Sequence, residues 1–255
     1  MGEAAQTIVL TGAAGNIGRK LRAHWGDRHR IRAVDCNPRG DESILRADLA
    51  TQVGLWSSSF AGADTVVHLA ANAHPLQPWE EARRSIATNF NIYNVAHRAN
   101  VRRIVYASSS HVLGGYRDKE GPNRLTPDLA PDPGMMYKIH GESGSTRHYA
   151  ISKLWCEELG RCYAEFHEMI VIAVRIGWVQ LGENLPESFP TDTDEWTRLM
   201  WLSNRDLCHL FDCCLVASPH PRFLIVNGMS ANRGMRWDIG SALQSIGYRP
   251  QDGIQ

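Results

Sequence analysis

Residues 6–18 read Gln-Thr-Ile-Val-Leu-Thr-Gly-Ala-Ala-Gly-Asn-Ile-Gly, and this stretch decides the fold. An apolar strand, Gln6–Leu10, runs into a turn with glycines at 12, 15 and 18, and a helix follows over Gly15–Trp25. Each glycine answers a separate physical need. Gly12 permits the sharp turn, Gly15 lets the backbone approach a pyrophosphate, and Gly18 lets helix and strand pack closely. The free N–H groups and the positive dipole end of the helix then face an anion. A strand–glycine turn–helix of this kind is a dinucleotide seat.

Outward from it, short β-rich runs alternate with helices, the rhythm of a parallel sheet. Further strands are expected at Arg30–Asp35, Ser43–Ala47, Asp64–Ala70, Arg103–Ala107, Ile170–Ile176 and Arg222–Asn227. Ile170–Ile176 is apolar but for Arg175, as a strand covered on both faces requires. Helices are expected near Glu80–Asn100, Arg147–Glu168, Asn204–Ala217 and Arg236–Ile246, and 114–146 shows no period. The fold class is α/β: a Rossmann-type, doubly wound parallel sheet in one domain over 1–255, to which 178–255 adds a small C-terminal substrate cap.

Asp35 ends the second strand 17 residues after Gly18, where a carboxylate accepts from both ribose hydroxyls and repels a 2′-phosphate. That favours NAD as cofactor. Asp48 and Leu49 follow the third strand and are placed beside the adenine. Leu69, Ala70 and Ala71 leave room for a cofactor crossing the carboxyl edge of the sheet, and Asn89 in the next helix is counted with this set. His68 reads as a packed core histidine.

The chain holds only four lysines, so Tyr149-Ala150-Ile151-Ser152-Lys153 stands out. Four residues apart on a helix, Tyr149 and Lys153 share one face. A phenol titrates near 10, so a neighbouring ammonium is what makes it a usable base; lowering it by about 2–3 units takes about 3–4 kcal/mol. Tyr137 is the weaker candidate, because Gly141 stands where the lysine would be. Ser108-Ser109-Ser110-His111 caps the fifth strand, and Ser109 is placed to orient the reacting oxygen, with Ser110 and His111 at the substrate.

With 27 basic and 27 acidic residues the chain has no global field for a polyanion, so nucleic acid is not an expected partner. It has no apolar run long enough to span a membrane and no secretory n-region at its start, which points to the cytoplasm. The six cysteines lack CxxC spacing and read as buried thiols in a reducing compartment; the eleven histidines show no metal-ligand spacing, so no metal is expected.

These motifs resemble the extended short-chain dehydrogenase/reductase superfamily. More narrowly, ASSSHVLGGY (107–116), YAISKLWCEELGRCYAE (149–165), VRIGW (174–178), RLMWLSNRD (198–206) and VNGMSAN (226–232) resemble the uronate dehydrogenases. The resemblance implies oxidation of the anomeric hydroxyl of a hexuronate to an aldarolactone with NAD. It implies Ser109, Tyr149 and Lys153 as the catalytic trio, and Asn16, Ile17, Asp35, Asp48, Leu49 and Lys153 at the cofactor. At the substrate it implies Ser110, His111 and Arg198, whose planar fork suits a carboxylate. It further implies a homo-oligomer built on the helices near 80–100 and 147–168.

Several positions depart from that pattern. KIHGESGSTRH (138–148) is an insertion before the tyrosine. Ser110 replaces an Asn, Ala73 a substrate-contacting serine, and Trp178 a small residue. The expectation is therefore an NAD-dependent sugar or sugar-acid dehydrogenase, open to sugar phosphates and sulfonated sugars. Its rivals are a nucleotide-sugar epimerase or dehydratase and a cofactor-binding regulator without turnover.

Overall fold

The computed structural model describes residues 4–51, 53–139 and 141–255. Chain order runs β1 (Thr7–Thr11), α1 (Asn16–Trp25), β2 (Arg30–Asp35), β3 (Ile44–Arg46), β4 (Thr65–His68), α2 (Trp79–Arg98) and β5 (Arg103–Ser109). It continues through β6 (Met136–Ile139), β7 (Glu142–Ser145), α3 (Arg147–Phe166), β8 (Ile170–Ile176), α4 (Glu195–Leu199), α5 (Asn204–Val216), β9 (Phe223–Gly228) and α6 (Gly240–Ile246).

Seven strands form one sheet in the order β3-β2-β1-β4-β5-β8-β9, every neighbouring pair parallel. Side chains alternate across it. Ile8 and Leu10 face a core shared with Trp25 of α1 and Phe211 of α5, while Val9 faces the opposite core with Tyr93 of α2 and Cys156 of α3. Helices thus cover both faces, which is why Ile8–Leu10 of β1 and Ile170–Val174 of β8 can be apolar without a break. The strand order reverses between β1 and β4, and a crevice opens there at the carboxyl ends, where open α/β sheets bind ligands.

Most expected elements stand within a residue or two, and the differences have local causes. Asn100 adopts φ +56 just past α2, so that helix ends at Arg98. Instead of starting at Arg236, α6 starts at Gly240, because Trp237 bridges Leu125 and the Asp238 carboxylate accepts from the N–H of Gly240. The aperiodic stretch 114–146 contains the antiparallel pair β6–β7, with Met136 opposite Ser145 and Ile139 opposite Glu142. Cys156, Cys208, Cys213 and Cys214 are buried as expected, whereas Cys36 and Cys162 are exposed. Of the segment after 177, β9 joins the main sheet and α5 packs on it; the part before α5 reaches over the crevice.

Candidate active site

A single cavity of about 960 Å³ runs along the crevice from the glycine turn to the segment around α4. That is the upper end of the size range of small-molecule sites. At one end lie Gly12, Gly15, Asn16, Ile17 and Gly18. Gly12 sits at φ +71, and a Cβ there would fall 2.8 Å from the backbone N of Ala70. A Cβ on Gly18 would fall 2.3 Å from the carbonyl oxygen of Gly12. The turn therefore tolerates glycine alone at both positions. α1 has no side-chain cap and no acidic residue in its first turn, so its free N–H groups face the cavity. That is a cradle for a pyrophosphate.

The Asp35 carboxylate is held in place by N–H groups of Ala14 and Asn37, both at 2.9 Å. Each oxygen keeps a lone pair for a ribose hydroxyl. Asp48 and Leu49 border the cavity, with Asp48 ion-paired to Arg84 at 2.6 Å. Leu69, Ala70 and Ala71 line the crossing point. The Asn16 side chain turns to the carbonyls of Val179 and Gln180, and Lys20 donates to Gln180 and Gly182. Together they clasp the 179–182 loop across the phosphate turn.

Farther along, Ser109, Tyr149 and Lys153 meet at the end of β5. Thr146 precedes α3, so Tyr149 falls in the first turn and Lys153 one turn later. The Lys153 ammonium donates to the carbonyl of Ala107 at 2.7 Å and lies 5.6 Å from the Tyr149 ring centroid. Burial holds the Lys153 pKa down to about 8. Burial also raises the Tyr149 phenol, while a hydrogen bond from Ser109 pulls it back. The Ser109 oxygen itself accepts from the N–H of His111 at 3.2 Å, which fixes its orientation. Thr146 Oγ1 accepts from the N–H of Met135 and lies within hydrogen-bond distance of His111 Nδ1, at 3.1 Å for each contact.

One turn beyond Lys153, Glu157 makes a two-pronged pair with Arg175 of β8, at 2.9 and 2.8 Å, and accepts from the Ser108 hydroxyl. Both charged side chains are fully buried. This pair ties α3, β5 and β8 together directly beneath the serine and the lysine.

His68 is the buried core histidine the sequence suggested, bonded to Thr11 at 2.6 Å. Burial, and then the charge of Lys153, hold its pKa down to about 3; burial holds that of His111 to about 4. Both folded values lie below the ordinary one. The unfolded chain therefore takes up these protons first, and stability falls as pH drops below about 6.5. His68→Gln is expected to remove about 1.4 kcal/mol per pH unit of that slope between pH 6 and pH 4. Urea titrations at several pH values measure it, and an unchanged slope would show that His68 is not buried neutral.

Two expected residues are not brought to the cavity. Asn89 is buried and donates to the carbonyl of Ser85, while Ser85 and its neighbour Thr88 line the wall. Arg198 is exposed, its guanidinium 6.0 Å from the Phe189 ring, while its neighbour Thr197 lines the wall. Ala73, Ser110 and His111 are at the cavity as expected, with Ser110 donating to the Met200 sulfur. The sequence reading missed Tyr137 as a pocket residue, and Thr197 and Asp194 altogether. Gly141, at φ +83 between two four-residue strands, was the available signal for the hairpin that carries Tyr137.

A glycine turn at the switch point, Asp35 at the end of β2 and a tyrosine–lysine pair lie along one crevice, the arrangement expected of a Rossmann-type NAD-dependent oxidoreductase. The chain belongs to the NAD dependent epimerase/dehydratase family, whose model matches residues 8–191. It is 33% identical to an NAD-dependent glucose-6-phosphate dehydrogenase of Haloferax volcanii, over 97% of this chain and 94% of that protein. It is 32% identical to an L-arabinose 1-dehydrogenase (NAD(P)(+)) of the same organism, over 96% of each. The crystal structure of uronate dehydrogenase from Agrobacterium tumefaciens superposes with a TM-score of 0.76 at 27% identity, over 98% of this chain and 86% of that one.

Proposed function

We propose that the protein oxidises the anomeric hydroxyl of a cyclic sugar or sugar acid to the lactone. The observation that carries this reading is the convergence of Ser109, Tyr149 and Lys153 on a cavity continuous with the phosphate cradle. Bound NAD⁺ supplies the hydride acceptor. The Tyr149 phenolate takes the hydroxyl proton as the C–H bond breaks and the C=O bond forms. Ser109 donates to the reacting oxygen and holds it beside Tyr149. Lys153 keeps the phenolate ionised and faces the ribose edge of the cofactor.

The relatives are named for a sugar phosphate, a pentose and a uronate, and each supports a sugar dehydrogenase of this kind. The family also contains epimerases and dehydratases, in which cofactor is regenerated each cycle. Stoichiometric NADH accumulation with a free sugar is the expected result. Sugar conversion without NADH build-up would reject the proposal in favour of an epimerase.

A further inference from the structure

At the far end of the cavity β6, which leads into the inserted segment 138–148, sets Tyr137 edge-on to His111, with ring centroids 5.2 Å apart, and His111 is in turn edge-on to Tyr149 at 5.7 Å. The Tyr137 side chain is thus one ring removed from the reacting phenol. Thr197 of α4 lies beside the Tyr137 phenol, close enough to pull its pKa back against burial, and its buried hydroxyl has no other partner among the described residues. Such a hydroxyl keeps bonding capacity that a ligand hydroxyl can use.

The charges at this end are already matched. Lys138 pairs with Asp192 at 3.5 Å, both more than half exposed at the mouth. Asp194 caps α4 through the N–H of Thr197 at 2.8 Å and pairs with Arg117 at 3.4 Å. Arg117 is further committed to the carbonyl of Met136 at 3.0 Å. Arg198, the cation that would fork a sugar carboxylate, lies over Phe189 instead. A carboxylate or phosphate entering here would meet Asp192 and Asp194, and the nearby Lys138 is already paired; Arg39, a lining cation with no ion pair among the described residues, follows Asp35 at the other end of the cavity. An anion moved out of water without such a partner is strongly disfavoured. Neutral hydroxyls, by contrast, find a donor or acceptor in Thr197, Tyr137, the His111 imidazole and the two carboxylates.

We infer that the pocket selects an uncharged aldose, whose distal hydroxyls are bound by Tyr137 and Thr197. The inference rests on the dehydrogenase reading above and narrows its substrate. The discriminating experiment measures NADH formation by the full chain with arabinose, xylose, glucose and galactose against glucuronate, galacturonate and glucose 6-phosphate. The best neutral aldose is expected to exceed every charged sugar by at least about tenfold in kcat/KM. A charged sugar ranking first overturns the inference and leaves the dehydrogenase reading standing. An NAD-binding protein that forms no NADH with any of the seven overturns both.

Tyr137→Phe and Thr197→Val are each expected to raise KM for the best aldose by about tenfold, the equivalent of one well-made hydrogen bond. Their kcat should stay within about twofold, and NAD affinity should not change. Unaltered KM in both refutes their assignment. Should either variant fail to fold, Asp192→Asn tests the same charge argument from an exposed position. Freeing Lys138 is expected to narrow the gap between aldose and glucuronate by about fivefold or more, and an unchanged gap counts against the inference.

Discussion

Tyr149→Phe is expected to lower NADH formation by about 10²–10⁴-fold, the usual contribution of a general base. The substitution removes one hydroxyl from a buried ring and leaves the ring's contact with His111 intact, so folding is not at stake. It also leaves the glycine cradle and Asp35 untouched, and NAD binding, read by fluorescence titration, should stay within about twofold. Because burial raises the phenol, activity in the wild type should climb with pH through neutrality. That climb should level off above about 8, as the lysine that favours the phenolate loses its charge. A variant that keeps more than about a tenth of the wild-type rate would remove Tyr149 from the chemistry.

Arg175→Met is expected to cost about 3–5 kcal/mol of stability, because it strands the Glu157 carboxylate in a dry core. The double variant Arg175→Met/Glu157→Leu should recover most of that loss, since an apolar pair of similar volume is often as stable as a buried ion pair. Equilibrium unfolding in urea reads both numbers. A single-variant loss below about 1 kcal/mol, or a double variant no better than the single, would contradict the account of a sealed ionic tie. Glu157 also accepts from Ser108, the neighbour of Ser109, so the double variant should keep its fold yet show a reduced kcat.

What the sequence makes legible is set by short-range geometry. The β1–glycine turn–α1 unit is readable because Gly12 sits at positive φ and a Cβ on Gly18 would strike the turn itself. Tyr149 and Lys153 are readable because one helical turn fixes their common face. Asn89 and Arg198 fail for one shared reason. Each follows a residue that does line the cavity, Thr88 and Thr197, and one step along a helix turns the side chain by about 100°. Which face of a helix looks inward is decided by packing across the chain, and a motif match carries no such phase information. For α4, five residues long, the phase is set by the Asp194 cap and its Arg117 partner, nearly eighty positions away in sequence. Tyr137 is hidden for a similar reason: its distance to His111 depends on how the hairpin is laid down, not on spacing.

The β6–β7 hairpin leaves the body of the protein and returns to it at one place. Met136 and Ser145 face each other, and the N–H of Thr146 donates to the carbonyl of Met135 at 2.9 Å just below them. Whatever length of chain is spliced above that closure, α3 still begins at the same point and presents the same phenol. A graft confined to 138–144 would therefore remodel the mouth of the cavity while Tyr137, His111 and Tyr149 keep their packing.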